Sequence, residues 1–271
     1  MSNAMRVKER ETAIKKSQQQ KSRKRKKKAL AAFLIILLVT VAALGVLSVT
    51  YFFKISTITV EGSFTYAFDD IINTANIELG DNLLILSEKD ISKKLSKRLP
   101  FVESISLEKT FPDKLKIIVN ETKEELCYKT KNKVFSSNKK GKILKEYETA
   151  PITLPFIKVS DKTSFTLGEK VVFSTENEAE VAEKYLDLFD SCSFNINFIN
   201  ITDPYDSYLK IENRFIVKMG SATNLEYKAA HMDETVKKMA DDASGIFNLT
   251  AWTQDKKSAF FSEQSIVEIL E

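Results

Sequence analysis

"RLPFVESISLEKTFPDKLKIIVNET", Arg98 to Thr122, is the stretch whose reading decides the fold. Ile105, Leu107 and Phe111 alternate with Ser104, Ser106, Glu108 and Thr110. Leu115, Ile117 and Val119 then alternate with Lys114, Lys116 and Asn120. Two period-2 runs read as strands with one apolar face each. Between them "Phe111-Pro112-Asp113-Lys114" reads as a β-turn with proline at its second position, where the ring's fixed φ suits the bend. Pro100 marks the exit of a preceding helix, because the residue before a proline is pushed out of the α region.

Working outward, residues 55–122 read as β-α-α-β-β. "ISTITVEG" places Ile58 and Val60 on one face of a short strand that Gly62 ends. Phe68, Ile71, Ile72 and Ala75 fall at i, i+3, i+4 and i+7, an amphipathic helix. Gly80 breaks the pattern. Ser87, three residues before Asp90, resembles a capping box, and Ile91, Leu95 and Leu99 line the helix that follows. The two helices cover one side of the sheet and leave its other side and its edges open.

The segment before this module decides where it works. Residues 29–53, "ALAAFLIILLVTVAALGVLSVTYFF", carry no charge over 25 positions. As a helix they reach roughly 37 Å at about 1.5 Å per residue, enough to cross a ~30 Å hydrocarbon core. The run is too long for a signal-peptide core, and bulky Thr50-Tyr51-Phe52-Phe53 gives no cleavage pattern. Tyr51, Phe52 and Phe53 read as an interfacial aromatic belt. Just before the run lies "KSRKRKKK", Lys21–Lys28, with seven basic residues of eight. Residues 1–28 hold 12 of the chain's 41 Lys and Arg and 2 of its 37 Asp and Glu, so the remainder is net acidic and the +4 overall hides a basic tail. Beside a membrane span and without interleaved aromatics, such a run orients the span, N-terminus inside, and touches anionic lipid in preference to nucleic acid. The polar, Gln-bearing residues 1–20 read as disordered.

Catalytic constellations are scarce. His231 is the single histidine, so every Ser-His-Asp or Cys-His arrangement has to use it. No Ser or Cys lies in a G-x-S-x-G elbow. Cys127 and Cys192 are too few for a Cys/His zinc site or a disulfide framework, and read as two free thiols. The seven glycines are at least 17 residues apart, which excludes a P-loop and a dinucleotide fingerprint. The adjacent pairs Asp69-Asp70, Glu124-Glu125 and Asp241-Asp242 read as solvated faces and helix ends. The expectation is a non-enzyme with no cofactor, no metal and no small-molecule substrate.

Residues 123–262 read as a second, mixed but β-rich domain, with 263–271 as a tail. "ELCYKTKNKVFSSNKKGKILKE" suggests strands around "KTKNK" and a turn at Lys139-Lys140-Gly141. A helix carries Val181, Tyr185 and Leu188 on one stripe. "FNINFINI" and "YLKIENRFIVKMG" read as strands with a bend at Asn213-Arg214. Leu225, Ala229, Met232, Val236 and Met239 repeat at helical spacing. "GIFNLTAW" and "SAFFSE" close the chain as a hairpin, with Phe247, Leu249 and Ala251 alternating against Asn248, Thr250 and Trp252.

The order strand, helix, "LGDNLLIL", helix, "LPFVESISLEKTFPDKLKIIVNE" resembles a POTRA domain, and more narrowly that of the FtsQ/DivIB family of bacterial division proteins. The positions that carry the resemblance are Val60-Glu61-Gly62, Gly80 with Asn82-Leu83-Leu84, Pro100 with Val102, and Pro112 with Leu115, Ile117 and Val119. It covers residues 20–122, directly around a single anchor with a basic tail, and continues loosely beyond. It implies an α+β protein: a cytoplasmic tail (1–28), a transmembrane helix (29–53), a POTRA-like domain (54–122) and an extracytoplasmic β domain (123–262). It also implies a scaffold at the division septum that binds small single-span division proteins of the FtsB/DivIC and FtsL type at the C-terminal strands. The candidate docking residues are Phe247, Leu249, Trp252, Phe260 and Phe261. Where the family often has an Asp-Leu-Arg-like run, this chain has "FNLTAW". A POTRA-type receptor for polypeptides crossing the envelope and a membrane-anchored, two-carboxylate cell-wall enzyme are the alternatives.

Overall fold

The computed structural model of the chain describes residues 30, 32–45, 47, 49–149, 151, 153–251 and 260–262. The basic tail (1–28), Trp252 and the tail at 263–271 lie outside the described residues. Contacts group the rest into two compact units. One takes in the described residues up to Ile58 with Glu78–Leu86 and Lys109–Leu115; the other takes in Thr59–Ile77, Ser87–Glu108 and everything from Lys116.

The first unit begins with α1, Ala32–Phe52, a helix of 21 residues with mean hydropathy 2.8 and none of its most apolar window buried. That is the length and composition of a membrane span. Its last carbonyls need partners from elsewhere, as at every helix end. Asn82 supplies one, donating Nδ2–H to the Val49 carbonyl at 3.1 Å, while Leu83 N–H donates to Phe53 O at 2.7 Å. The same loop exchanges bonds with the exit strand: Gly80 N–H donates to Ile55 O and Ile55 N–H to Asp81 O, both at 2.8 Å.

The order β-α-α-β-β holds: β1 (Thr57–Glu61), α2 (Phe68–Ala75), α3 (Glu88–Arg98), β2 (Val102–Thr110) and β3 (Lys114–Glu121), with the strands ordered β1-β3-β2. Local chemistry explains the boundaries. Ser87 caps α3 by accepting from Asp90 N–H at 3.3 Å. Leu99, before Pro100, leaves the helix with extended φ −115° and ψ 91°. Asn76 ends α2 in the left-handed region at φ 57°, which a short polar side chain tolerates. Ile71 and Ala75 of α2, Ile91 and Leu95 of α3, and Ile105, Leu115, Ile117 and Val119 of the strands are all buried. Phe111 departs from the expected alternation. It opens the turn, on the N-terminal side of the cis Phe111–Pro112 peptide, and is 57% exposed, because the turn lifts it off the strand face.

The remainder of the second unit is a nine-stranded sheet. Its strands are β4 (Leu126–Lys129), β5 (Val134–Ser137), β6 (Ile143–Tyr147), β7 (Phe156–Lys158), β8 (Ile196–Asn200), β9 (Ser207–Ile211), β10 (Phe215–Gly220), β11 (Gly245–Asn248) and β12 (Phe260–Ser262). Their spatial order is β12-β11-β10-β9-β8-β7-β4-β5-β6. β4 pairs in parallel with β7, β7 with β8 and β10 with β11; the other neighbours are antiparallel. Two helices bury their stripes in its core: α4 (Glu176–Ser191) through Val181, Ala182, Tyr185 and Leu188, and α5 (Leu225–Val236) through Leu225, Ala229 and Met232. Cys127 and Cys192 are unpaired.

Within this unit α3 meets the connection between β7 and α4 at Gly168, whose N–H bonds Ile143 O of β6 at 2.8 Å. Its backbone comes so close that a Cβ there would stand 2.3 Å from the Lys97 carbonyl oxygen. Lys97 also pairs with Glu169 at 2.8 Å, and Lys142 Nζ donates to Val102 O at 2.6 Å. The exposed ion pair adds little; the glycine's close approach sets the geometry.

Candidate partner-binding edge

The C-terminal hairpin is built from the inside out. Arg214, at the bend between β9 and β10, lays its guanidinium 4.7 Å from the centre of the Phe215 ring. It also donates to the carbonyls of Ala240 at 2.6 Å and Asp241 at 2.8 Å. That holds the chain leaving α5, so that Gly245 N–H reaches Arg214 O at 3.1 Å and β11 enters parallel to β10. β12 then returns antiparallel, with Ile246 opposite Ser262, Phe247 opposite Phe261 and Asn248 opposite Phe260. Gly245 permits this closeness, since a Cβ there would fall 2.6 Å from Ser262 O and 2.8 Å from the Phe261 ring.

Of the five residues singled out from the sequence, four lie among the described residues. Phe247 and Leu249 belong to the core, at 3% and 0% exposed, and their side chains are not surface anchors. Alternation puts them on the sheet face that packs on the helices, which is the reason for the correction. Phe261, opposite Phe247, extends the same aromatic row to the sheet's rim. Ring centroids are 5.3 Å apart for Phe215–Phe247 and 4.8 Å for Phe247–Phe261, distances at which aromatic pairs attract beyond their area. Phe261 remains 39% exposed. Phe260 lies in β12 opposite Asn248, and Trp252 lies outside the described residues. β12 ends the sheet, and among the described residues no strand pairs with its outer side. Such a rim presents a row of backbone donors and acceptors.

Ionisable groups elsewhere hold turns. Glu124 accepts from Ser136 Oγ at 2.5 Å and from the Tyr147 hydroxyl at 2.9 Å. Burial, with that hydrogen bond and the Glu124 charge, pushes Tyr147 up to about 12. Glu125 accepts Lys139 N–H at 3.0 Å, and Asp70 accepts Ala67 N–H at the start of α2 at 3.3 Å. Burial acts to raise the Glu121 carboxyl. Bonds from the Ser63 and Thr65 hydroxyls and the Thr65 and Phe64 amides outweigh it and hold the group below the ordinary glutamate range. Burial, then the Glu124 charge, pushes the Cys127 thiol up to about 11, which makes it a poor nucleophile.

The sequence marks Asn82 only as part of a resemblance; its bond to the last turn of α1 is visible in three dimensions alone. Gly168 and Gly245 carry no local signal that sets them apart from other turn glycines.

A β-α-α-β-β module behind an apolar helix defines a POTRA domain, and the family model described as "POTRA domain, FtsQ-type" matches residues 53–122. The chain is also similar to the "Cell division protein DivIB" of Clostridium botulinum (strain Hall), with 26% identity over 179 residues, 65% of this chain and 70% of that protein. Residues 53–122 thus carry a POTRA domain of the FtsQ type, in a chain similar to a DivIB cell division protein.

Proposed function

We propose that this chain is a non-catalytic, bitopic scaffold of the division septum. Its basic tail lies in the cytoplasm and its POTRA and β domains lie outside. In this reading the β domain takes up a strand from a small single-span division protein of the FtsB/DivIC or FtsL type, added along β12. The observation that carries it is the position of β12, a three-residue strand at the rim of a nine-stranded sheet. Strand addition needs such a rim for main-chain bonds and a nearby side-chain surface for selectivity; the exposed part of Phe261 supplies the second. The work is local concentration and edge geometry.

Hydrogen exchange on the full chain in nanodiscs tests it, with and without a purified single-span partner. Amides of residues 260–262 are expected to gain protection while those of β6, at the opposite rim, do not. Protection that appears only at β6 or in the POTRA strands would sink this docking mode.

A further inference from the structure

Four large apolar side chains stand in the open around the end of α1: Leu79 (67% exposed), Leu84 (41%), Ile85 (79%) and Phe111 (57%). All four belong to the same compact unit as α1. Their positions are held by that helix and the residues just after it. The Asn82 side chain bonds the Val49 carbonyl and accepts Leu84 N–H at 2.9 Å through Oδ1. Val49 lies about 4.5 Å along the axis before Phe52, at ~1.5 Å per residue, so the 82–85 loop stands level with the last helical turn. Phe111 meets Phe53 edge to face at 5.6 Å, and its turn is pinned by Ser56 N–H to Asp113 O at 2.8 Å. A cluster of exposed large apolars marks an interaction site, and here it is continuous with a helix of transmembrane composition.

We propose that Leu79, Leu84, Ile85 and Phe111 form a wedge that enters the interfacial layer of the bilayer spanned by α1, seating this end of the module on the lipid surface. The proposal rests on α1 spanning a membrane. Two lysines fit the same boundary: Lys54 lies with Nζ 5.2 Å from the Tyr51 ring centre, and Lys109 Nζ bonds Leu86 O at 2.8 Å. Long cationic side chains lie this way where apolar surface meets headgroups. The anchor is then a tether with a set angle, because a helix end and two loops touch lipid together.

The test uses the full chain in nanodiscs made with ordinary or brominated phospholipid, in a Trp252→Phe background. A single tryptophan is introduced as Ile85→Trp in the wedge, Phe52→Trp in the span or Tyr205→Trp on the exposed surface of the β domain. Interfacial side chains sit roughly 5–10 Å into the headgroup and acyl boundary, so the Ile85→Trp emission should be quenched by bromine about half as much as Phe52→Trp or more. Tyr205→Trp should be unaffected. If Phe52→Trp is quenched while Ile85→Trp responds only to aqueous iodide, the wedge is wrong and the span stands. If neither responds to bromine, the span fails and the wedge fails with it.

Discussion

Phe261→Ala separates an edge that serves a partner from one that serves only the fold. The ring is 39% exposed, so about three-fifths of a full phenylalanine burial, itself ~1.5–3 kcal/mol, is at stake within the chain. Its pairing with Phe247 at 4.8 Å adds about 0.5–1.5 kcal/mol. Truncation should therefore weaken the docking of β12 by about 2 kcal/mol. Among the described residues β12 pairs only with β11, so most of that loss stays in the hairpin. Phe247→Ala removes a ring that is 3% exposed and should lower global stability by ~3–5 kcal/mol. If a partner strand lies along β12, the exposed two-fifths of Phe261 becomes covered in the complex. Two-fifths of ~1.5–3 kcal/mol is about 0.6–1.2 kcal/mol of binding, so Phe261→Ala should lower affinity roughly 3- to 8-fold. The assay is titration of a purified single-span partner of the DivIC type against the full chain in nanodiscs, beside urea unfolding of each variant. Unchanged affinity for Phe261→Ala, with only the unfolding midpoint shifted, would refute the edge-docking reasoning and leave Phe261 a structural residue.

Three further outcomes follow from single sites. Gly168→Ala forces a Cβ to within 2.3 Å of Lys97 O at φ +79°, so it should cost about 1–3 kcal/mol in urea unfolding, whereas Leu167→Ala beside it should not. Cys127, held near 11, is expected to resist iodoacetamide at pH 8, where roughly one thiol in a thousand is ionised, and to react once the chain is unfolded in urea; rapid native labelling contradicts its burial. Glu121 has a lowered folded value, so its contribution is complete above the unfolded value of about 4.3 and is lost as pH falls through the lower folded one. Protection factors at residues 63–67, with exchange corrected for its intrinsic rate at each pH, should therefore be flat from pH 8 to 5 and fall only in stronger acid, and Glu121→Gln should remove that acid step.

The range of the forces involved separates what the sequence shows from what the structure adds. Periodicity, the Ser87 cap and the exit before Pro100 are interactions among residues a few positions apart. The β-α-α-β-β order, the stripes of α4 and α5 and the length of α1 were therefore legible in the sequence alone. Alternation also implied that Phe247 and Leu249 share a face, but not whether that face meets helices or solvent. The packing of α4 and α5 decided for the core and left Phe261, one strand further out, at the rim. The merging of nine strands into one sheet, with β4 parallel to β7 and β10 parallel to β11, depends on pairing between segments far apart in the chain. No local pattern encodes that. The same holds for Asn82 at the end of α1, Gly168 against Lys97 and Gly245 beneath β12. Their importance lies in what another segment brings against them, and only the tertiary structure sets that approach.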